Sequence, residues 1–259
     1  MPGTPSMLMK RGRLVNAGAS PERCVYGAHA VGEWLRVRPQ HVRDIDYDPR
    51  AGSRIAALVA LARQHAIPVR PATPQRLAER AGAAHHQGIV ARTEPFPYAE
   101  LEEVVGAHPR LLIVADHMQD PHNLGALLRT AEAGGAGAVI VPKDAAVPVT
   151  PAVEAVAAGA AARLRVCRVV NVVRALKALE ARGYWAAGLV PRGGVDLYDW
   201  EASQPLVIVV GGEAGVRRLV AEECDTLVSI PMIGTTESLN AAVAAAVVVF
   251  ELLRRWRTA

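Results

Sequence analysis

The sequence has 259 residues, room for two modest domains or one large one. Hydrophobic residues make up 51% and charged residues 21%, ample for a core and ordinary for a soluble protein. The net charge of +4, supplied mostly by arginine, suits a polyanionic partner or simply a solvated basic surface. Cys24, Cys167 and Cys224 show no C-x-x-C or Cys/His spacing, which speaks for reduced thiols in a cytoplasmic protein and against a zinc site or disulfide framework. The first residues lack the apolar stretch of a signal peptide, and the longest apolar run, 239–250, is well short of the ~20 residues that span a bilayer. The expectation is a soluble, intracellular protein with no membrane segment and no metal.

Residues 1–23 are rich in Gly, Pro and Arg without periodicity and read as a mobile tail. Short β-type runs then alternate with helical patterns over 24–94: CVYG and AHAVGEWLRVR, VRDIDYD and SRIAALVALARQHA, IPVR and PQRLAERAG, with GIVARTE closing the set. Ile55, Leu58, Val59 and Ala62 fall at helical spacing and predict one buried stripe. This alternation predicts a small α/β domain. The proline-rich stretch 95–110 reads as a linker. A second domain over 111–259 follows, with strands expected at LLIVAD, AVIVP, LRVCRVV, YWAAGLV, PLVIVVGG and TLVSIPM. Several of these are continuous apolar runs, as in a parallel sheet covered on both faces. Thr150-Pro151 and Asn171 predict helix starts, and a last helix is expected from about Ser238 to Arg257.

Three stretches could carry chemistry. In DHMQDPHNLGALLRT, Asp120-Pro121 predicts a helix start after a strand, so His122 and Asn123 lie in an anion-friendly first turn. Arg129, four residues beyond Gly125 and three beyond Ala126, is expected to project over two tiny side chains that leave room for a ligand; a solvated arginine fits equally well. In LVIVVGGEAGVRRLV a strand runs into Gly211, Gly212 and Glu213, a loop where backbone can approach a ligand closely or simply turn into a helix. It does not match the dinucleotide pattern G-x-G-x-x-G. In SIPMIGTTESLNAAVAAAVVVFE, Ser238 is a natural helix cap, while Asn240 opens an otherwise apolar helix and needs partners for its amide.

In this order the three stretches resemble the signature blocks of the SpoU (TrmH-like) RNA 2′-O-ribose methyltransferases of the SPOUT superfamily. N-L-G-A-x-x-R spans Asn123 to Arg129, Gly-Gly-Glu spans Gly211 to Glu213, and I-P-M followed by S-L-N spans Ile230 to Asn240. Near the N-terminus, GAHAV (Gly27 to Val31) and HQGIVA (His86 to Ala91) resemble the accessory domain of the 23S rRNA guanosine 2′-O-methyltransferase subgroup. The resemblance implies an α/β fold: a mostly parallel sheet with a C-terminal trefoil knot, preceded by a small α/β RNA-binding domain. It further implies a homodimer whose sites borrow residues across the interface, with S-adenosyl-L-methionine as methyl donor and RNA, rRNA foremost, as substrate. Gly211, Gly212, Ile230, Met232 and Leu239 would bind the cofactor. Asn123, Arg129, Glu213, Ser238 and Asn240 would surround the reacting atoms.

The implied reaction is an in-line displacement in which a ribose 2′-oxygen attacks the sulfonium methyl. It needs alignment and proton removal but no metal. A free guanidinium stays protonated near neutrality, so Arg129 is expected to hold the target phosphate or stabilise the developing alkoxide, oriented by Asn123 and Glu213. The 2′-hydroxyl implies RNA rather than DNA. Two departures stand beside the expected site. The family's Gly-x-Glu-Gly-x-Gly is one residue shorter here and carries Ala214, and the serine expected two positions after Asn240 is Ala242. The other readings are a nucleotide-dependent enzyme using Gly211, Gly212 and Gly215, a knotted RNA-binding relative with weak or lost catalysis, and a tRNA 2′-O-methyltransferase.

Overall fold

The computed structural model describes residues 23–258, so the expected tail, apart from Arg23, lies outside the described residues. The chain begins with β1 (Arg23–Tyr26), α1 (Ala28–Val37), a single 3₁₀ turn at Pro39–His41, β2 (Val42–Tyr47), α2 (Ser53–Gln64), β3 (Val69–Pro71), α3 (Pro74–Ala81) and β4 (Ile89–Thr93). These strands form a four-stranded sheet in the order β1-β4-β2-β3. β4 runs antiparallel to both β1 and β2, while β2 and β3 are parallel. The stripe expected on α2 is its buried face: Ile55, Leu58, Val59 and Ala62 are the residues it hides. Thr73 caps α3 by accepting from Arg76 N, and Gly82 closes it in the left-handed region at φ 62°.

The stretch expected as a linker contains α4 (Leu101–Gly106), whose Val104 and Val105 are buried. Then come β5 (Leu111–Asp116), α5 (Pro121–Ala133), β6 (Ala138–Pro142), α6 (Pro151–Ala157), α7 (Ala160–Arg163), β7 (Arg165–Val169), α8 (Val172–Glu180), β8 (Trp185–Leu189), β9 (Val195–Asp196), β10 (Leu206–Gly211), α9 (Arg218–Ala221), β11 (Thr226–Ser229) and α10 (Ala241–Thr258). The seven strands follow the order β7-β6-β5-β10-β8-β11-β9, and every neighbouring pair is parallel. The expected mostly parallel sheet behind a small α/β unit is the observed architecture.

β5 and β10 sit side by side in the middle of this sheet, and every residue of both is buried. Their side chains alternate between two cores: Leu111, Ile113, Leu206 and Ile208 face one, Leu112, Val114, Val207 and Val209 the other. Burial of each such side chain contributes roughly 1.5–3 kcal/mol, so these two strands are firmly held. Their carboxyl ends carry the glycine loop and the start of α5. The first core also runs through the small unit, where Trp34, Ile45 and Ile89 belong to the same cluster as Leu127 and Val153. At that junction Trp34 Nε1 donates to Glu154 Oε1 of α6 over 2.6 Å, and Arg23 pairs with the same carboxylate, which is 1% exposed.

The last helix departs from expectation at its start. It begins at Ala241, and Ser238 is not its cap. Asn240 is: its Oδ1 accepts from Ala242 N at 3.0 Å and Val243 N at 3.3 Å. Ser238 makes no such bond among the described residues.

Candidate active site

The ends of β8, β10 and β11 and the start of α10 enclose a cavity of about 550 Å³, a size that holds a small-molecule ligand. Its floor is the glycine loop after β10. A side chain at Gly211 would strike the backbone of Gly215 and Val216, and one at Gly212 the backbone of His117 and Met118. Glycine is therefore required by backbone packing against backbone. Gly215 N donates to Gly212 O over 3.0 Å and closes the loop with φ +77°. Asp116, fully buried at the end of β5, clamps the far side: its carboxylate accepts from Arg217 N at 3.0 Å, Nε at 2.9 Å and Nη2 at 2.6 Å. A carboxylate buried so completely would be costly without that arginine. The pair thus ties the loop to the centre of the sheet.

One hydrogen-bonded chain links all three sequence blocks. The Oδ1 of Asn240 faces the first amides of α10, which directs its Nδ2 to Asn123 Oδ1 at 2.8 Å. Asn123 Nδ2 in turn donates to Glu213 Oε1 at 3.0 Å. Each amide orientation follows from the one before it, starting from the helix end. The carboxylate of Glu213 is held at the mouth of the cavity by residues from two helices. Asn123 owes its place to Asp120, which caps α5 by accepting from His122 N at 2.8 Å.

The cavity is lined by Asn123, Gly211, Gly212, Glu213, Ile230, Met232, Ser238, Leu239 and Asn240, all expected from the sequence. Arg129 does not line it. It lies six residues beyond Asn123, about 120° around the helix, is exposed, and makes no ion pair among the described residues. The space expected over Gly125 is filled by α6: a Cβ there would lie 2.6 Å from Val156 Cβ and 2.7 Å from Val153 O. Ala242 is buried in the core rather than in the cavity, so the missing serine bears on helix packing. Ala214 lines the cavity and is exposed. The sequence reading missed Leu189 at the end of β8, Val190 and Pro191 after it, and Ala244 on α10, which also form the wall. It also missed the clamp, although an aspartate ending the apolar run LLIVAD was a signal for a paired buried charge.

Burial pushes the thiols of Cys167 and Cys224 up to about 12, which keeps both protonated at neutral pH. Among the described residues no group of His, Cys, Asp and Glu side chains is placed to hold a metal ion, and no helix is long and apolar enough to cross a membrane.

Residues 110–250 match the model of the SpoU rRNA Methylase family, and residues 24–99 match that of RNA 2′-O ribose methyltransferase substrate binding. The chain is 42% identical over 238 residues to the 23S rRNA (guanosine-2′-O-)-methyltransferase RlmB of Pseudomonas syringae pv. tomato, covering 89% of this chain and 95% of that one. It is 41% identical over 241 residues to the enzyme of the same name from Ralstonia nicotianae, covering 91% and 97%. Among solved structures it is similar to the SpoU methyltransferase AviRb from Streptomyces viridochromogenes, in complex with AdoMet. The TM-score there is 0.78 at 26% identity, covering 91% of each chain. The chain belongs to the SpoU rRNA methylase family.

Proposed function

We propose that the chain methylates the ribose 2′-hydroxyl of a guanosine in 23S ribosomal RNA, with S-adenosylmethionine as methyl donor. The observation that carries this reading is the Asn240–Asn123–Glu213 chain at the mouth of a cavity floored by backbone glycines. The names of its relatives at about 40% identity supply the substrate, and the AdoMet complex of AviRb supplies the donor. The residues fit that donor. Gly211 and Gly212 face the cavity with backbone alone, and Ile230, Met232 and Leu239 offer apolar walls beside it. Bound S-adenosylmethionine supplies a methyl group on a positively charged sulfur, so the leaving group is a neutral thioether. The protein's own work is to orient the ribose and manage its proton. Asn123 fixes one oxygen of Glu213; the other has no partner among the described residues and can accept from the 2′-hydroxyl. Ser238, at the rim, orients the incoming strand.

The small unit, 24–94, is assigned to RNA binding and 111–259 to methyl transfer, with 95–110 joining them. The order of β10, β8 and β11, and the return of the chain to pack α10 on α5, suit the trefoil knot of the family. A homodimer is inferred from the outer apolar side chains of the last segment: Ile233, Val243 and Phe250 are exposed, Ile233 completely. In such a dimer Arg129 serves the partner's cavity, which accounts for its distance from its own. A cytoplasmic location follows from the ribosomal substrate.

The test is transfer of radiolabelled methyl from S-adenosylmethionine to 23S rRNA from cells lacking the gene, followed by mapping of 2′-O-methylation. A single labelled guanosine is expected. Labelling of tRNA alone would move the substrate. Cofactor binding without transfer to any RNA would make the chain a binding protein.

A further inference from the structure

A second cavity, of about 480 Å³, opens beside the first at the carboxyl ends of β5, β6 and β7. The two share one loop: residues 211–216 line the first and 217–220 the second. Its walls are apolar where solvent would favour polar side chains, for Val170 is 80% exposed and Leu219 58%. Its polar lining is His117, Asp144, Asn171, Arg217 and Arg218, of which Asn171 caps α8 through Oδ1. Asp144 is exposed and has no partner among the described residues. Arg217 is locked to buried Asp116 through Nε and Nη2, and its Nη1 has no acceptor among the described residues. Arg218 also lines the cavity but is paired with Glu222.

We infer that this cavity takes the guanine base of the target nucleotide and reads its edge, an inference that rests on the proposed methyl transfer. Guanine presents acceptors at O6 and N7 and donors at N1 and N2; adenine presents an acceptor at N1 and a donor at N6. A fixed arginine donor and a free carboxylate are the complement of the guanine pattern, and a carboxylate repels adenine N1. Val170 and Leu219 supply surface against which the flat ring packs, as single-stranded bases do when splayed out of a helix. Position decides between this and a remote site. Glu213, which faces the ribose, is four residues from Arg217 on the same clamped loop. A nucleotide whose sugar lies over Glu213 therefore directs its base across the loop.

The test is binding and methylation of a protein-free rRNA fragment spanning the mapped nucleotide, made with guanosine, inosine or adenosine at that position. Inosine lacks only the N2 amino group. The wild-type protein is expected to bind the guanosine fragment about tenfold or more tightly than the inosine one. Asp144→Asn is expected to bind the two alike while keeping wild-type affinity for S-adenosylmethionine. Asp144 is exposed, so the variant folds, and Leu219→Asp, also exposed, is expected to weaken binding of all three fragments. Asp144→Asn retaining the full preference for guanosine over inosine would overturn the inference. So would a Leu219→Asp defect that appears only on ribosomal particles carrying protein, which would mark a protein-docking surface. Binding is measured without methyl transfer, so absence of transfer by the wild type, which sinks the proposed function, is a separate result.

Discussion

At the residue scale, Asn123 and Asn240 divide two tasks that a single alanine substitution confuses. Asn240 caps α10 through Oδ1 and positions Asn123 through Nδ2. Asn123 has only the second kind of task, handing orientation on to Glu213. Asn240→Ala should therefore cost about 1 kcal/mol of stability, the usual loss of a helix cap, as well as activity. Asn123→Ala should leave the melting temperature near that of the wild type. It should lower kcat on the order of tenfold to a hundredfold by releasing Glu213, with S-adenosylmethionine affinity little changed. Thermal unfolding, calorimetry and single-turnover rates on both variants check this, and equal destabilisation by the two would remove the distinction. Residue identity alone made most of this site legible, because its motif segments keep their spacing. Spacing could not reveal that Asn240 rather than Ser238 makes the cap, since both are good capping residues and the loop conformation decides. Nor could it reveal Leu189, Val190 and Pro191, which enter the wall only because β8 is paired beside β10.

At the element scale, the strands were readable because β5, β6 and β10 are continuous apolar runs that a sheet covered on both faces demands. The two-residue β9 was not, being too short to show any period. Strand order was not readable either, for it depends on where crossovers pass and not on any strand's composition. The element most open to manipulation is the loop between β10 and α9. Its glycines are fixed by backbone contacts and its far end by Asp116, but Ala214 is exposed within the cavity wall. The family's longer glycine pattern allows more consecutive backbone groups to approach the cofactor. If the shorter path here forgoes one of them, the loss is that of a neutral hydrogen bond, about 0.5–1.5 kcal/mol. Replacing Ala214 by a Gly-Lys pair should thus raise S-adenosylmethionine affinity by up to about tenfold. Calorimetry on both proteins measures this, and unchanged affinity would mean that the short loop is already a sufficient cradle.

At the scale of the whole molecule, the two units meet at Glu154, which the sequence hid because a single glutamate in PAVEAVA looks like an ordinary solvent-facing residue. Burial raises its carboxyl to about 7, against the opposing pull of Arg23, Trp34 and Arg38. Between about 4.5 and 7 the folded protein keeps a proton that the unfolded chain has released, so stability falls as pH rises through that window, by roughly 3 kcal/mol at most. Glu154→Gln should flatten this part of the profile in denaturant titrations at pH 5 and 8; an unchanged slope would assign it to other groups. Arg129 poses the larger question, because it is the one expected site residue that the single chain leaves outside its own cavity. If it acts on the partner's site, each active centre needs Asn123 from one chain and Arg129 from the other. Arg129→Ala and Asn123→Ala should each keep about a tenth of the wild-type activity or less alone, with S-adenosylmethionine affinity retained in the first. Mixing them should nevertheless restore one of the two centres in every mixed dimer. That centre combines the intact Asn123 of the first variant with the intact Arg129 of the second. Random exchange makes about half the dimers mixed, so activity should recover to about a quarter of the wild-type value, a consequence of two-fold symmetry. Were Arg129 to act within its own chain, no combination would assemble an intact centre, and the mixture would stay at the level of the separate variants.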